Sequence, residues 1–87
     1  MDSELHIDKR GTKRWRLPNG LFHREDGPAI IDIFGYKAWY INNIRHREGG
    51  PAIEYVSGNK EWWLNGIKYT EQEYKKQLRL IKIDKIL

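Results

Sequence analysis

Eighty-seven residues, 32% of them charged with a formal net charge of +4, and no cysteine describe one small domain with a modest core and no disulfide framework, thiolate zinc site or thiol nucleophile. Four Trp, five Tyr and two Phe separate it from disordered chains of similar charge, and no apolar run approaches the ~20 residues of a membrane span. The polar start MDSELHIDKRGTK is unlike a signal peptide, and with the lack of cysteine it points to the cytoplasm.

In chain order, the first feature is a basic run of Lys9, Arg10, Lys13, Arg14 and Arg16. Strands are expected at 13–17, 21–24, 28–33, 37–41, 44–47, 51–56 and 60–64, with a short last one at 67–69. These segments are short, rich in Ile, Val, Tyr, Trp and Phe, and bounded by turn residues. Asn19-Gly20 and Asn65-Gly66 predict type I′ hairpins, because both central residues of that turn need positive φ. Asn42-Asn43 fills the same slot, since Asn tolerates the left-handed region. Asp26-Gly27, Phe34-Gly35, Gly49-Gly50 and Ser57-Gly58-Asn59 supply the other turns. Pro28 and Pro51 suit the first residue of a strand, where no N–H donor is needed.

A helix closes the series over about 70–84. Thr70 and Glu73 form a capping box, which places the N-cap at Thr70. Glu71 and Glu73 in the first turn and Lys82 and Lys85 in the last match the helix dipole. Tyr74, Leu78, Ile81 and Leu80 make an apolar stripe that should cover the end of the sheet. Ile83, Ile86 and Leu87 prolong the apolar character, either under the sheet or toward a partner.

The chain repeats. HREDGPAI at 23–30 returns as HREGGPAI at 46–53, and Gly35/Gly58, Trp39/Trp62 and Asn42/Asn65 keep the same spacing of 23. Trp15 precedes Trp39 by 24, with Pro18 as the extra residue. The unit is GxxxWxxNGxxHRxDGPAIxxxx, with repeats at about 11–34, 35–57 and a truncated 58–69. Such a period signals units that bury their apolar faces on one another. The expected fold is mainly β: an antiparallel meander of ~23-residue hairpin repeats in a single domain over 1–87, capped by one C-terminal helix.

The unit WxxNGxxHRxDGPA resembles the MORN-like β-hairpin repeats found in hypothetical proteins of bacteriophages and large DNA viruses. The resemblance covers about residues 11 to 74, including the closing LNGIKYTEQEY. It departs from the pattern at Asn43, in place of Gly, and at Gly49, in place of Asp. It implies a binding scaffold of no single activity, and so a non-enzymatic phage or viral inhibitor that docks on a host protein. That host protein would be a defence (CRISPR-type) or nucleic-acid-processing enzyme.

The octet HREDGPAI also has the composition of a catalytic site, with a base, a phosphate-binding Arg and acids. Its second copy loses the Asp and keeps the Gly-Pro-Ala, which favours a turn that His23, His46, Arg24 and Arg47 brace. Spacing among His6, His23 and His46 matches no metal-ligand pair. No catalytic residue, cofactor or metal site is therefore assigned. Binding is assigned instead to Arg14, Arg16, Trp39, Tyr40, Arg45, Arg47, Trp62, Trp63, Lys75, Lys76 and Arg79. Alternation puts Trp39 and Tyr40, and likewise Trp62 and Trp63, on opposite faces, with one of each pair on the outer face. The expected partner is a protein. Direct nucleic-acid binding through the basic ends and outer aromatics is the alternative, a self-assembling structural protein with an exposed edge and apolar C-terminus is a third reading, a homodimer is open, and no membrane is involved.

Overall fold

The computed structural model describes residues 2–86, the side chain of Ile86 excepted. The expectations for Ile86 and Leu87 as apolar contacts lie outside the described side chains. The elements are β1 (Glu4–Ile7), β2 (Lys13–Arg16), β3 (Ile30–Ile31), β4 (Lys37–Ala38), β5 (Tyr40–Ile41), β6 (Ile44–Arg45), β7 (Ile53–Glu54), β8 (Lys60–Leu64), β9 (Ile67–Tyr69) and α1 (Glu71–Ile86). A seven-stranded antiparallel sheet has the order β1-β2-β3-β4-β7-β8-β9, and β5 and β6 form a separate hairpin. The fold is the expected mainly-β meander with one C-terminal helix.

Three long rising segments, 13–17, 37–41 and 60–64, organise it. In each, the first two residues pair with β3 or β7 and the second half pairs with the segment after the next turn, at Phe22, β6 or β9. Lys37 and Ala38 pair with both β3 and β7, and Tyr40 and Ile41 then pair with β6. The expected single strand 37–41 is thus divided at Trp39, whose N–H goes to the carbonyl of Ala52.

Each falling segment is interrupted. The expected strands 28–33, 44–47 and 51–56 shorten to two paired residues apiece, and 21–24 keeps one bridge, Arg16 to Phe22. Residues 22–24 still bond on both sides, through His23 N–H to Trp15 O, Arg24 N–H to Tyr40 O and Asn43 N–H to Phe22 O. A one-residue slip between the last two bonds prevents a regular ladder. The same slip recurs where Arg47 N–H meets Trp63 O and Gly66 N–H meets Arg45 O.

β1 was not expected from its polar surroundings. Asp8 accepts the N–H groups of Arg10 and Thr12 around Gly11, as Asp32 accepts those of Phe34 and Tyr36 around Gly35. β1 therefore occupies, beside β2, the place that β3 holds beside β4. Asn42-Asn43 and Asn65-Gly66 have positive φ at both residues, as a type I′ turn requires. Asn19-Gly20 does not: only Gly20 is left-handed. Pro18 locks its own φ near −65°, so the chain takes a longer loop closed by Leu17 N–H to Leu21 O.

The molecule is a slab of 44 × 32 × 17 Å with little interior. Ala29, Ala38 and Ala52 are fully buried, and Leu17, Ile53, Leu64 and Tyr74 complete the apolar core. α1 begins with both bonds of the capping box: Thr70 Oγ1 accepts from Glu73 N–H at 3.2 Å, and Glu73 Oε1 accepts from Thr70 N–H at 3.1 Å. It packs on β8 and β9 and so covers that end of the sheet. Tyr74 is buried and Leu78 and Ile81 are half-buried, whereas Leu80 of the stripe and Ile83 beyond it stay exposed.

Candidate functional site

The octet is a bulge in each falling segment, and its side chains hold it shut. In the first copy the Arg24 guanidinium lies 3.9 Å from the centre of the Trp15 ring and donates to Pro28 O at 3.2 Å. In the second, Arg47 lies 3.8 Å over Trp39 and donates to Pro51 O at 3.0 Å. A Cβ on Gly27 would stand 2.9 Å from the Arg24 guanidinium carbon, and on Gly50 3.1 Å from that of Arg47, so each glycine makes room for its arginine. Contacts of this kind contribute about 0.5–2 kcal/mol each.

The histidine joins one unit to the next. His23 Nδ1 accepts the backbone N–H of Asn42 at 3.0 Å, and His46 Nδ1 accepts that of Asn65 at 2.9 Å. An accepting Nδ1 puts the ring proton on Nε2, which faces Glu25 at 3.8 Å in the first copy and Glu48 at 3.3 Å in the second. These histidines brace turns of the following repeat, as well as their own bulges.

Beyond the bulges, each hairpin sets an aromatic against a cation across the strand pair: Arg16 with Phe22, Arg45 with Tyr40, and Lys68 with Trp63. The first two pairs and Trp63 run into one stripe. Arg16 lies 5.0 Å from the Phe22 ring centre, Phe22 and Tyr40 are 5.6 Å apart, and Arg45 reaches Tyr40 at 5.8 Å and Trp63 at 4.9 Å. Arg45 Nε also donates to the Tyr40 hydroxyl at 3.2 Å.

A tyrosine–carboxylate group borders the stripe. Glu61 accepts from the Tyr55 hydroxyl at 2.8 Å and from Trp63 Nε1 at 2.9 Å, and Tyr36 packs on Tyr55 at 5.7 Å. The Tyr55 hydrogen bond, with that of Trp63 and the nearby Lys68, holds the Glu61 carboxyl below its ordinary range. The same bond raises the Tyr55 hydroxyl, and burial raises that of Tyr36.

Of the residues assigned to binding from the sequence, Arg16, Tyr40, Arg45 and Trp63 meet in this stripe. Trp39 and Arg47 instead face one another in the second bulge, and Trp62 stacks with Tyr74 at 5.1 Å. Trp39 and Tyr40 thus have separate sets of neighbours, as do Trp62 and Trp63. Arg14 bonds Asp8 at 2.8 Å, Lys75 lies 3.4 Å from Glu71, and Lys76 and Arg79 are exposed on α1. Phe22 and Lys68 escaped the sequence assignment. Lys68 could have been found as the residue opposite Trp63 across the Asn65-Gly66 turn. The same rule applied to Asn19-Gly20 would have put His23 opposite Arg16, and the longer loop at Pro18 shifts the partner to Phe22.

Among the described residues, no group of three or more His, Asp or Glu could hold a metal ion, and no helix is long and apolar enough to cross a membrane. Compared with known proteins, the chain matches no protein-family model, no curated protein and no solved structure.

Proposed function

We propose that this chain is a non-enzymatic binding module that docks on a partner protein through the stripe Arg16–Phe22–Tyr40–Arg45–Trp63. The observation that carries this reading is the stripe's continuity: two arginines and three aromatics follow one another at 4.9–5.8 Å across successive hairpins. Arg, Tyr and Trp are the side chains that dominate the binding energy of protein interfaces. They sit here on hydrogen-bonded hairpins, which lowers the ordering cost of association. A face of 44 × 32 Å exceeds the ~800 Å² per partner of a standard interface. The finer reading, a phage or viral inhibitor of a host defence or nucleic-acid-processing enzyme, rests on the repeat resemblance.

Affinity capture with the wild-type chain and with an Arg45→Ala/Trp63→Ala variant tests the proposal. One protein recovered in stoichiometric amount by the wild type and lost from the variant is the expected result. Equal recovery by both forms, or none by either, overturns it.

A stripe of arginines and aromatics also suits single-stranded nucleic acid, with bases stacked on Phe22, Tyr40 and Trp63 and phosphates on Arg16 and Arg45. The ionised Glu61 beside Trp63 works against a phosphate backbone and favours the protein reading. Oligonucleotide anisotropy separates the two: salt-dependent binding that Trp63→Ala removes would establish nucleic acid as the ligand.

A further inference from the structure

A cleft of about 850 Å³ lies between the two bulges, with Arg24–Gly27 on one wall, His46–Gly49 on the other, and Trp39, Ile41 and Ile44 between them. The next position in the series, beyond the second bulge, is filled by the chain's own helix. There Tyr74 stacks on Trp62 and its hydroxyl donates to Arg47 O. Leu64 is buried, and Lys85 Nζ reaches both carboxylate oxygens of Glu48, at 2.9 and 3.1 Å.

The two positions correspond residue by residue. Trp62, Leu64 and Glu48 each lie 23 residues after Trp39, Ile41 and Glu25. Glu48 is held by a lysine from a helix. Glu25, in the same place on the first bulge, has its side chain 75% exposed and only His23 Nε2 nearby, at 3.8 Å. Ile41, the counterpart of the buried Leu64, lines the open cleft.

The sign of the charge in the cleft is also set. The guanidinium groups of Arg24 and Arg47 are turned onto Trp15 and Trp39 and onto the proline carbonyls, where they are satisfied. Asp26 is taken up by Arg24 Nε at 3.0 Å, so Glu25, with its side chain 75% exposed, remains as the free charge of the first wall.

We infer that this cleft is a second docking site, which takes a basic amphipathic helix of a partner protein. Apolar residues of that helix rest on Ile41 and Ile44, and a lysine or arginine pairs with Glu25 as Lys85 pairs with Glu48. Trp39 is already covered by Arg47, so the occupant needs no counterpart of Tyr74. The site meets the Arg16–Trp63 stripe only at Ile44, which also borders Tyr40, Arg45 and Trp63, and either can fail without the other.

The test uses the full chain and, as a probe, a synthetic peptide of the sequence 70–86, TEQEYKKQLRLIKIDKI, with side-chain NMR shifts as the readout. Shifts at Ile41 are expected, unchanged in Arg45→Ala/Trp63→Ala and weakened roughly tenfold in Glu25→Lys, which reverses the paired charge. A peptide with its lysines and arginine changed to glutamate should give none. The proposal is overturned by no shifts at the cleft, by shifts confined to Trp62 and Leu64 (exchange of the chain's own helix), or by equal binding to Glu25→Lys.

Discussion

The two octets share a backbone course and an Arg-on-Trp stack, yet their arginines find different acids. In HREDGPAI, Arg24 Nε bonds Asp26 inside the bulge at 3.0 Å. In HREGGPAI the Asp is Gly49, and Arg47 turns to Glu54 on β7 at 3.1 Å. Glu54 stands where the first copy has Ile31. The carboxylate has moved from the bulge to the neighbouring strand, and the guanidinium and proline carbonyl have kept their bond. What the repeat preserves is a filled bulge and a clip to the next unit, and the identity of the acid can drift around that requirement. A second difference is the neighbour: the second bulge has α1 beside it and the first has an open cleft.

Removing that neighbour should have the largest effect. Tyr74→Ala deletes a buried ring from Trp62 and should destabilise the fold by about 3 kcal/mol in urea unfolding. Tyr74→Phe, which loses only the bond to Arg47 O, should cost about 1 kcal/mol. A Tyr74→Ala effect below that of Tyr74→Phe would mean that α1 does not seal the second bulge.

The histidine clips come next. The His23 side chain is 8% exposed and that of His46 17%. His23→Ala should cost about 2 kcal/mol and His46→Ala about 1 kcal/mol, because the more buried site leaves its amide donor less able to find water. Hydrogen exchange should speed up first at Asn42 N–H in one variant and at Asn65 N–H in the other. Faster exchange at the hairpin of the histidine's own unit instead would remove the inter-unit role.

Smaller effects should follow the acids. Asp26→Asn and Glu54→Gln should each cost about 0.5 kcal/mol, as partly exposed ion pairs do. The double change Gly49→Asp/Glu54→Ile, which gives the second copy the acid arrangement of the first, should leave unfolding free energy within about 0.5 kcal/mol of wild type.

The response to acid should be gentle. Lys85, with His46 behind it, holds the Glu48 carboxyl below its ordinary 4.5, and Tyr55 and Trp63 do the same for Glu61. A depressed carboxyl adds stability that is fully present above 4.5 and fades as pH falls through the folded-state value. The melting temperature should therefore drop on acidification below 4.5, and Lys85→Met should flatten part of that drop.

The sequence disclosed the repeat and the turns far better than the ladders between them. Period and turn chemistry are local, so the hairpins at Asn42-Asn43 and Asn65-Gly66 and the Thr70 cap follow from a few adjacent residues. The slip between the bonds of Phe22 and Arg24 is a property of two segments together, and no pattern within 21–24 records it. β1 was hidden because its unit lacks the octet, although Asp8 and Gly11 stand 24 residues before Asp32 and Gly35. In the site, alternation separated Trp39 from Tyr40, and it could not say that Arg47 would cover Trp39 while Arg45 bridged Tyr40 to Trp63. That choice depends on which side of the bulge each arginine leaves.

The three fully buried alanines mark a slab only one layer deep, and this has a consequence for growth. A globular domain gains stability by enclosing volume, and its size is capped by the reach of its core. Here every clip, stack and methyl contact spans one unit and its neighbour. A 23-residue insertion between Gly35 and Gly58 would add a complete set of such contacts and one more cation–aromatic pair to the stripe, lengthening the binding face without redesigning either end.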